Sequence, residues 1–166
     1  MAIPDYQTLM LPLLRLASDP KEHQLRAVTE TVADEFALSS EERNERLPSG
    51  SQVVFANRVG WARTYLKQAG LRDSPRRGFF SITQRGLDLL PETPRRIDVT
   101  LLERFPGFLE CRARRREQES AFTPAWIDSG ETPEEALAAA YHTLRADLEV
   151  ELLPQVQESS PTFFER

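Results

Sequence analysis

Residues 47–90 read LPSGSQVVFANRVGWARTYLKQAGLRDSPRRGFFSITQRGLDLL, and this stretch decides the fold. Serine and glycine at Ser49-Gly50-Ser51 mark a loop, with Ser51 a suitable N-cap for a helix from Ser51 or Gln52 to Ala69. Gly70 falls where a helix-ending glycine belongs. At 100° per residue, Val54, Phe55, Arg58, Val59, Trp61, Ala62, Tyr65 and Leu66 share one broad half. The other half holds Val53, Asn57, Gly60, Thr64 and Lys67, with Arg63 at its edge and no acid among them. Leu71-Arg72-Asp73 and Phe79-Phe80-Ser81-Ile82 then predict two short strands around the turn Ser74–Gly78. Thr83 caps a closing helix from Gln84 to Leu90.

From Arg46 to Gly86 the chain carries eight Lys and Arg against one acid, Asp73, a local charge of +7 within a protein of net charge −5. A basic island in an acidic chain is the electrostatic footprint of a polyanion site. Its bland alternative is a solvated surface. The absence of acids, the hairpin-tip arginines and the neighbouring hydrogen-bonding side chains favour DNA. The expected contacts are Ser49, Ser51, Gln52, Asn57, Arg63, Thr64, Lys67, Arg76 and Arg77. Gln52 and Asn57 suit base edges, because an amide pairs with adenine in two places. Arg76 and Arg77 suit phosphates.

Upstream, Leu9, Leu13 and Leu16 stand at helical spacing with Tyr6, predicting a helix over Tyr6–Ala17 with Pro12 inside it. Asp19-Pro20 reads as the start of a second helix, Lys21 to Phe36. Ser39 and Glu42 have capping-box spacing. Three helices, a hairpin and a short helix within about 90 residues are the plan of a winged helix-turn-helix, mainly α with a small β-hairpin.

After Pro91-Glu92-Thr93-Pro94 the character changes: residues 1–90 carry 12 basic and 11 acidic side chains, residues 91–166 carry 9 and 15. This divides the chain into a DNA-binding unit, 1–90, and a helical connector, 91–166. Asp98–Phe105 has helical spacing, Pro106-Gly107 interrupts it, and Phe108–Glu119 continues as a charged helix with Arg112, Arg114, Arg115 and Arg116. Those arginines are read as a solvated face paired with neighbouring glutamates before they are read as phosphate contacts. Ser120–Gly130 is a linker whose Phe122 and Trp126 could dock on the fold. Thr132-Pro133-Glu134-Glu135 starts a long acidic helix reaching about Val156. Its stripe of Leu137, Tyr141, Leu144 and Leu148 suits packing or a homodimer. Ser159-Ser160-Pro161 ends it.

The enzyme classes find little support. One cysteine, Cys111, and two histidines, His23 and His142, cannot build a cysteine-based zinc site or a disulfide framework within one chain. No glycine-rich phosphate loop is present. Pro4-Asp5 followed by Asp19-Pro20-Lys21 satisfies the letter of a PD-(D/E)xK nuclease pattern, but the intervening residues are helical where the motif needs strands. With neither a signal peptide nor an apolar run of spanning length, a cytoplasmic protein is expected.

The run LPSG…VVFANRVGWARTYLKQAGL…RRGFFSITQRGLDLL resembles the N-terminal domain of Mrr-like restriction endonucleases. IDVTLLERFPGFLECRARR and TPEEALAAAYHTLRADLEVELLPQV…SSPTFFER resemble the segment leading into that family's nuclease domain. The resemblance implies a winged helix that recognises DNA, ahead of a metal-dependent PD-(D/E)xK domain that cuts methylated DNA. No catalytic residue of that domain has a counterpart here. The expectation is a target-recognition module without cofactor, inactive alone, the divalent metal belonging to the absent nuclease domain. A winged-helix transcriptional regulator, or a protein-interaction module with no nuclease partner, is the alternative.

Overall fold

Asp5 opens the first helix, α1 (Tyr6–Leu16), by accepting a hydrogen bond from the Thr8 amide at 2.8 Å. The computed structural model describes residues 3–19, 21–92, 95–118 and 130–158. Tyr6, Leu9, Met10, Leu13 and Leu14 are all but inaccessible, and α1 lays this face along α4 (Val54–Gln68), its most extensive partner. Pro12 lies inside α1 as the sequence requires. It withholds one backbone donor, so packing must carry the helix past it.

The second helix does not begin at Lys21. His23–Gln24 form a strand, β1, and α2 spans Leu25–Glu35. The Asp19 carboxylate binds His23 and lies 3.9 Å from Lys21, instead of capping α2. Pro20 falls outside the described residues. The short helix α3 (Ser40–Asn44) carries the expected capping box, with Ser39 and Glu42 bonded reciprocally at 3.2 and 2.9 Å. Arg43 ties α3 to α2 through the Leu38 carbonyl, Glu30 and Asp34.

The start of α4 is also corrected. Its N-cap is Val53, without a side-chain bond, while Ser51 Oγ pairs with Ser49 Oγ at 2.8 Å. The preceding loop folds back on itself: Leu47 N bonds Gln52 O, Val54 N bonds Glu45 O, and Arg46 bridges Val53. Gly70 closes the helix at φ +71°, the left-handed turn that favours glycine. β2 (Arg72–Asp73) and β3 (Phe79–Ile82) follow as the hairpin, and β1 adds on the other edge in the order β1-β3-β2. His23 pairs with Phe80 and Arg72 with Ile82, all antiparallel. Thr83 caps α5 (Gln84–Leu89), whose Gly86 has no room for a side chain, since a Cβ would meet Leu71 O at 2.2 Å.

Asp98 caps a single turn, α6 (Val99–Leu102), shorter than the expected helix to Phe105. Pro106 begins α7 (Pro106–Gln118) instead of merely interrupting a helix, a position where its missing N–H has no intrahelical partner to lose. Ile97, Val99, Leu102 and Phe108 join the same core as α1, α2, α4 and the sheet, so the hydrophobic core continues past residue 90. The last helix, α8 (Pro133–Glu158), opens on the expected cap, with Glu135 accepting from Thr132 N at 2.8 Å. The linker residues Phe122 and Trp126, the boundary pair Thr93-Pro94 and the terminal Ser159–Arg166 lie outside the described residues. The fold is mainly helical with a small three-stranded antiparallel sheet, and no described helix is long and apolar enough to cross a membrane.

Candidate nucleic-acid interface

α4 is held on three sides, by α1 beneath, by the start of α8 on one flank and by α7 on the other. What remains open is a ridge: Ala56 and Lys67 are exposed, and Gly60, Arg63 and Thr64 are partly so. Their spacing of four, three, one and three residues keeps them on one face. The ridge is small at its start and cationic at its end. A Cβ built on Gly60 meets nothing within 4 Å, so the glycine leaves open space.

On the α8 flank, charge is neutralised inside the protein. Arg58 is 19% exposed and Glu135 14%. Their guanidinium and carboxylate meet at 2.7 and 2.8 Å, and Arg58 Nη1 also reaches the Ile3 carbonyl at 2.5 Å. Trp61 Nε1 donates to Glu134 at 2.7 Å. On the α7 flank the opposite holds. Arg63, Lys67, Arg72 and Arg114 line an open cleft of about 590 Å³, together with Glu110 and Cys111. Arg72 is only 5% exposed. Its Nε donates to the Arg63 carbonyl at 2.8 Å and its guanidinium lies 5.7 Å from the Phe80 ring. Among the described residues, Arg72 Nη1 and Arg63 Nε have no hydrogen-bond partner. Burial, with the Arg63 charge nearby, lowers the Arg72 pKa to about 10, which leaves it cationic at neutral pH.

Eight of the nine expected contact residues fall into three groups. Ser49, Ser51 and Gln52 lie exposed in the loop before α4. Arg63, Thr64 and Lys67 lie on the far end of the ridge, about 20 Å away at the helical rise. Arg76 and Arg77 are exposed at the hairpin tip, where Arg76 bonds Glu22 at 2.8 Å and lies 3.7 Å over the Phe79 ring. Three side chains are already occupied: Thr64 Oγ1 donates to Gly60 O at 2.9 Å, and Ser49 and Ser51 hold each other. Asn57 is corrected outright as an outward residue. It is 5% exposed and its Nδ2 donates to Gln52 Oε1 at 3.2 Å.

Sequence reasoning left Arg72 out of the expected contacts and read Arg114 as part of a solvated, paired face before a phosphate contact. Alternation hid the first, since Leu71 and Arg72 are both buried; only the cross-strand register shows it, with Arg72 facing the buried Ile82. Arg112 pairs with Glu103 and Arg114 lies 3.7 Å from Glu110, so each of the two described arginines on this face has an acid beside it. The Arg115 and Arg116 side chains fall outside the described residues. The formal nuclease pattern dissolves: Asp5 and Asp19 sit beyond opposite ends of α1, about 16 Å of helix apart, too far to share a metal ion.

The family described as the Mrr N-terminal domain matches residues 6–92. The type IV methyl-directed restriction enzyme EcoKMrr of Escherichia coli K12 is 30% identical over 174 residues, covering 99% of this chain and 57% of that enzyme. The chain thus spans little more than half the length of this curated relative. No solved structure matches it. Taken with the ordered helices, sheet and basic ridge, these matches place the chain in the Mrr N-terminal domain family.

Proposed function

We propose that this chain is the double-stranded DNA-recognition module of an Mrr-like restriction system, and that its first 90 residues are a winged helix. In this reading α4 enters the major groove and the β2–β3 hairpin is the wing. The observation that carries it is the acid-free ridge of α4, whose small residues admit a groove and whose cations meet phosphates. The order of α1, β1, α2, α3, α4, β2 and β3, with β1 joined to the hairpin, is consistent with a winged helix. Gln52 is the remaining candidate for a base edge, Asn57 being turned inward. The relative's printed description, methyl-directed restriction, supports methylated DNA as the target of the whole protein. Cleavage would need a separate metal-dependent domain.

Titration of a duplex at two salt concentrations tests this. Arg76→Ala combined with Arg77→Ala should weaken binding on any sequence and reduce the slope of log K against log salt by about one to two. An unchanged affinity and slope would remove the wing from the interface.

A second reading, a protein-interaction module, is favoured by one feature. Leu137, Tyr141, Leu144 and Leu148 stand exposed along α8, with Leu137 at 72%. An apolar stripe of this kind suits a second copy of the chain. Sedimentation of Leu144→Asp beside the unaltered chain distinguishes the two readings: a loss of dimer supports association, and identical monomers dismiss it.

A further inference from the structure

A buried arginine that keeps an unpaired N–H needs an explanation, because an unsatisfied cationic donor costs more than a neutral one. Arg72 is held by β2 and by the Arg63 carbonyl, so its position is set by the backbone and not by an acid. Asp73, its neighbour, points to the other face of the strand and is exposed. The cleft in front of Arg72 gathers Arg63 and Lys67 from successive turns of α4 and Arg114 from α7. Glu110, the acid that lines it, lies 3.7 Å from Arg114. The net charge of the lining is therefore strongly positive, and among the described residues two guanidinium nitrogens, Arg63 Nε and Arg72 Nη1, are buried without a hydrogen-bond partner that would offset their charge.

We propose that the cleft between α4, β2 and α7 is a phosphate-binding site in which Arg63, Lys67 and Arg72 supply the positive charge that holds the oxygens. Paired guanidinium groups match phosphate geometry, and the low exposure of Arg72 strengthens each bond. The proposal rests on the DNA-binding reading in naming a backbone phosphodiester as the expected occupant; a free phosphate is the other source of the same chemistry. It extends that reading, since it brings α7 into contact with the strand running beside the ridge.

Cys111 lines the cleft and is the chain's one cysteine, so its alkylation by uncharged iodoacetamide reports occupancy. Inorganic phosphate at about four times its Kd, with chloride holding the ionic strength, should slow alkylation about fivefold in the unaltered chain. A short duplex at saturation should protect at least as well. Arg63→Gln keeps the backbone carbonyl that positions Arg72 and should abolish the phosphate effect; Lys67→Gln should weaken it. As a second measurement, phosphate should raise the unfolding midpoint more in the unaltered chain than in Arg63→Gln, the difference cancelling the general salting effect. Equal phosphate protection and equal midpoint shifts in the two proteins would overturn the site. Duplex binding by anisotropy without protection of Cys111 would overturn the site and leave the DNA reading standing. Protection by phosphate with no duplex binding would keep the site, assign it to free phosphate, and overturn the DNA reading.

Discussion

The two flanks of α4 use the same residue type to opposite ends. Toward α8, Arg58 is enclosed with a carboxylate and backbone carbonyls, and its charge is spent on holding the helices together. Toward α7, Arg63, Lys67 and Arg72 are gathered, and among the described residues no acid is bonded to any of them. A buried cation that meets its partner inside the protein is structural. One left without an acid keeps its charge for whatever enters the cleft beside it. The contrast teaches that local positive charge, read as a sum over the sequence, mixes two populations that only packing separates. Of the eight basic residues between Arg46 and Gly86, Arg58 is withdrawn from any interface and Arg76 is partly engaged by Glu22.

The contrast can be broken most severely on the α8 flank. Glu135→Ala removes both the partner of Arg58 and the acceptor of the Thr132 amide. Leaving a nearly buried guanidinium with carbonyls alone should cost about 3 kcal/mol, measured by urea unfolding. A loss under about 1 kcal/mol would mean that the pair is solvent-screened and the flanks are alike. The next test addresses the ridge between them. Gly60→Glu introduces a carboxylate into open space, so the unfolding midpoint should stay close to its original value. Duplex affinity should fall about tenfold or more, since an acid opposite phosphates costs roughly 1.4 kcal/mol or above. An unaltered affinity would move the DNA off this face. Smallest is Gly60→Ala, where relief of backbone entropy in an uncrowded helix should raise stability by about 0.5–1 kcal/mol. A destabilised protein would show that the ridge is covered.

Much of this was legible beforehand where the signal is local. The capping box at Ser39 and Glu42, the hairpin around Ser74–Gly78, the helix-ending Gly70 and the Thr132-Pro133 start depend on neighbours within a few residues, and each appears where the sequence puts it. β1 was not legible. Two residues, His23 and Gln24, have no pattern of their own and become a strand only because Phe79 and Phe80 present an edge. Asn57 was misplaced because the 100° projection treats α4 as standing free. The loop before α4 folds back through Leu47 N to Gln52 O and Val54 N to Glu45 O, and Asn57 is buried with its amide donating to Gln52 Oε1. The α7 cleft needed three segments brought together, of which the sequence offers only separate arginines. Its key member, Arg72, was visible as charge and invisible as a buried group.

The pairing of β1 with β3 has a consequence for the order in which the protein is made. His23 has no strand partner until Phe80 has been synthesised, 57 residues later. Helix α1 and the body of α2 can form from short-range contacts, whereas closing the sheet requires joining the ends of a long loop, at an entropic cost that grows only slowly with its length. On the ribosome the edge beside residues 23–24 therefore stays open while α4 is being added. The sheet is completed only as the hairpin that carries Arg76 and Arg77 emerges.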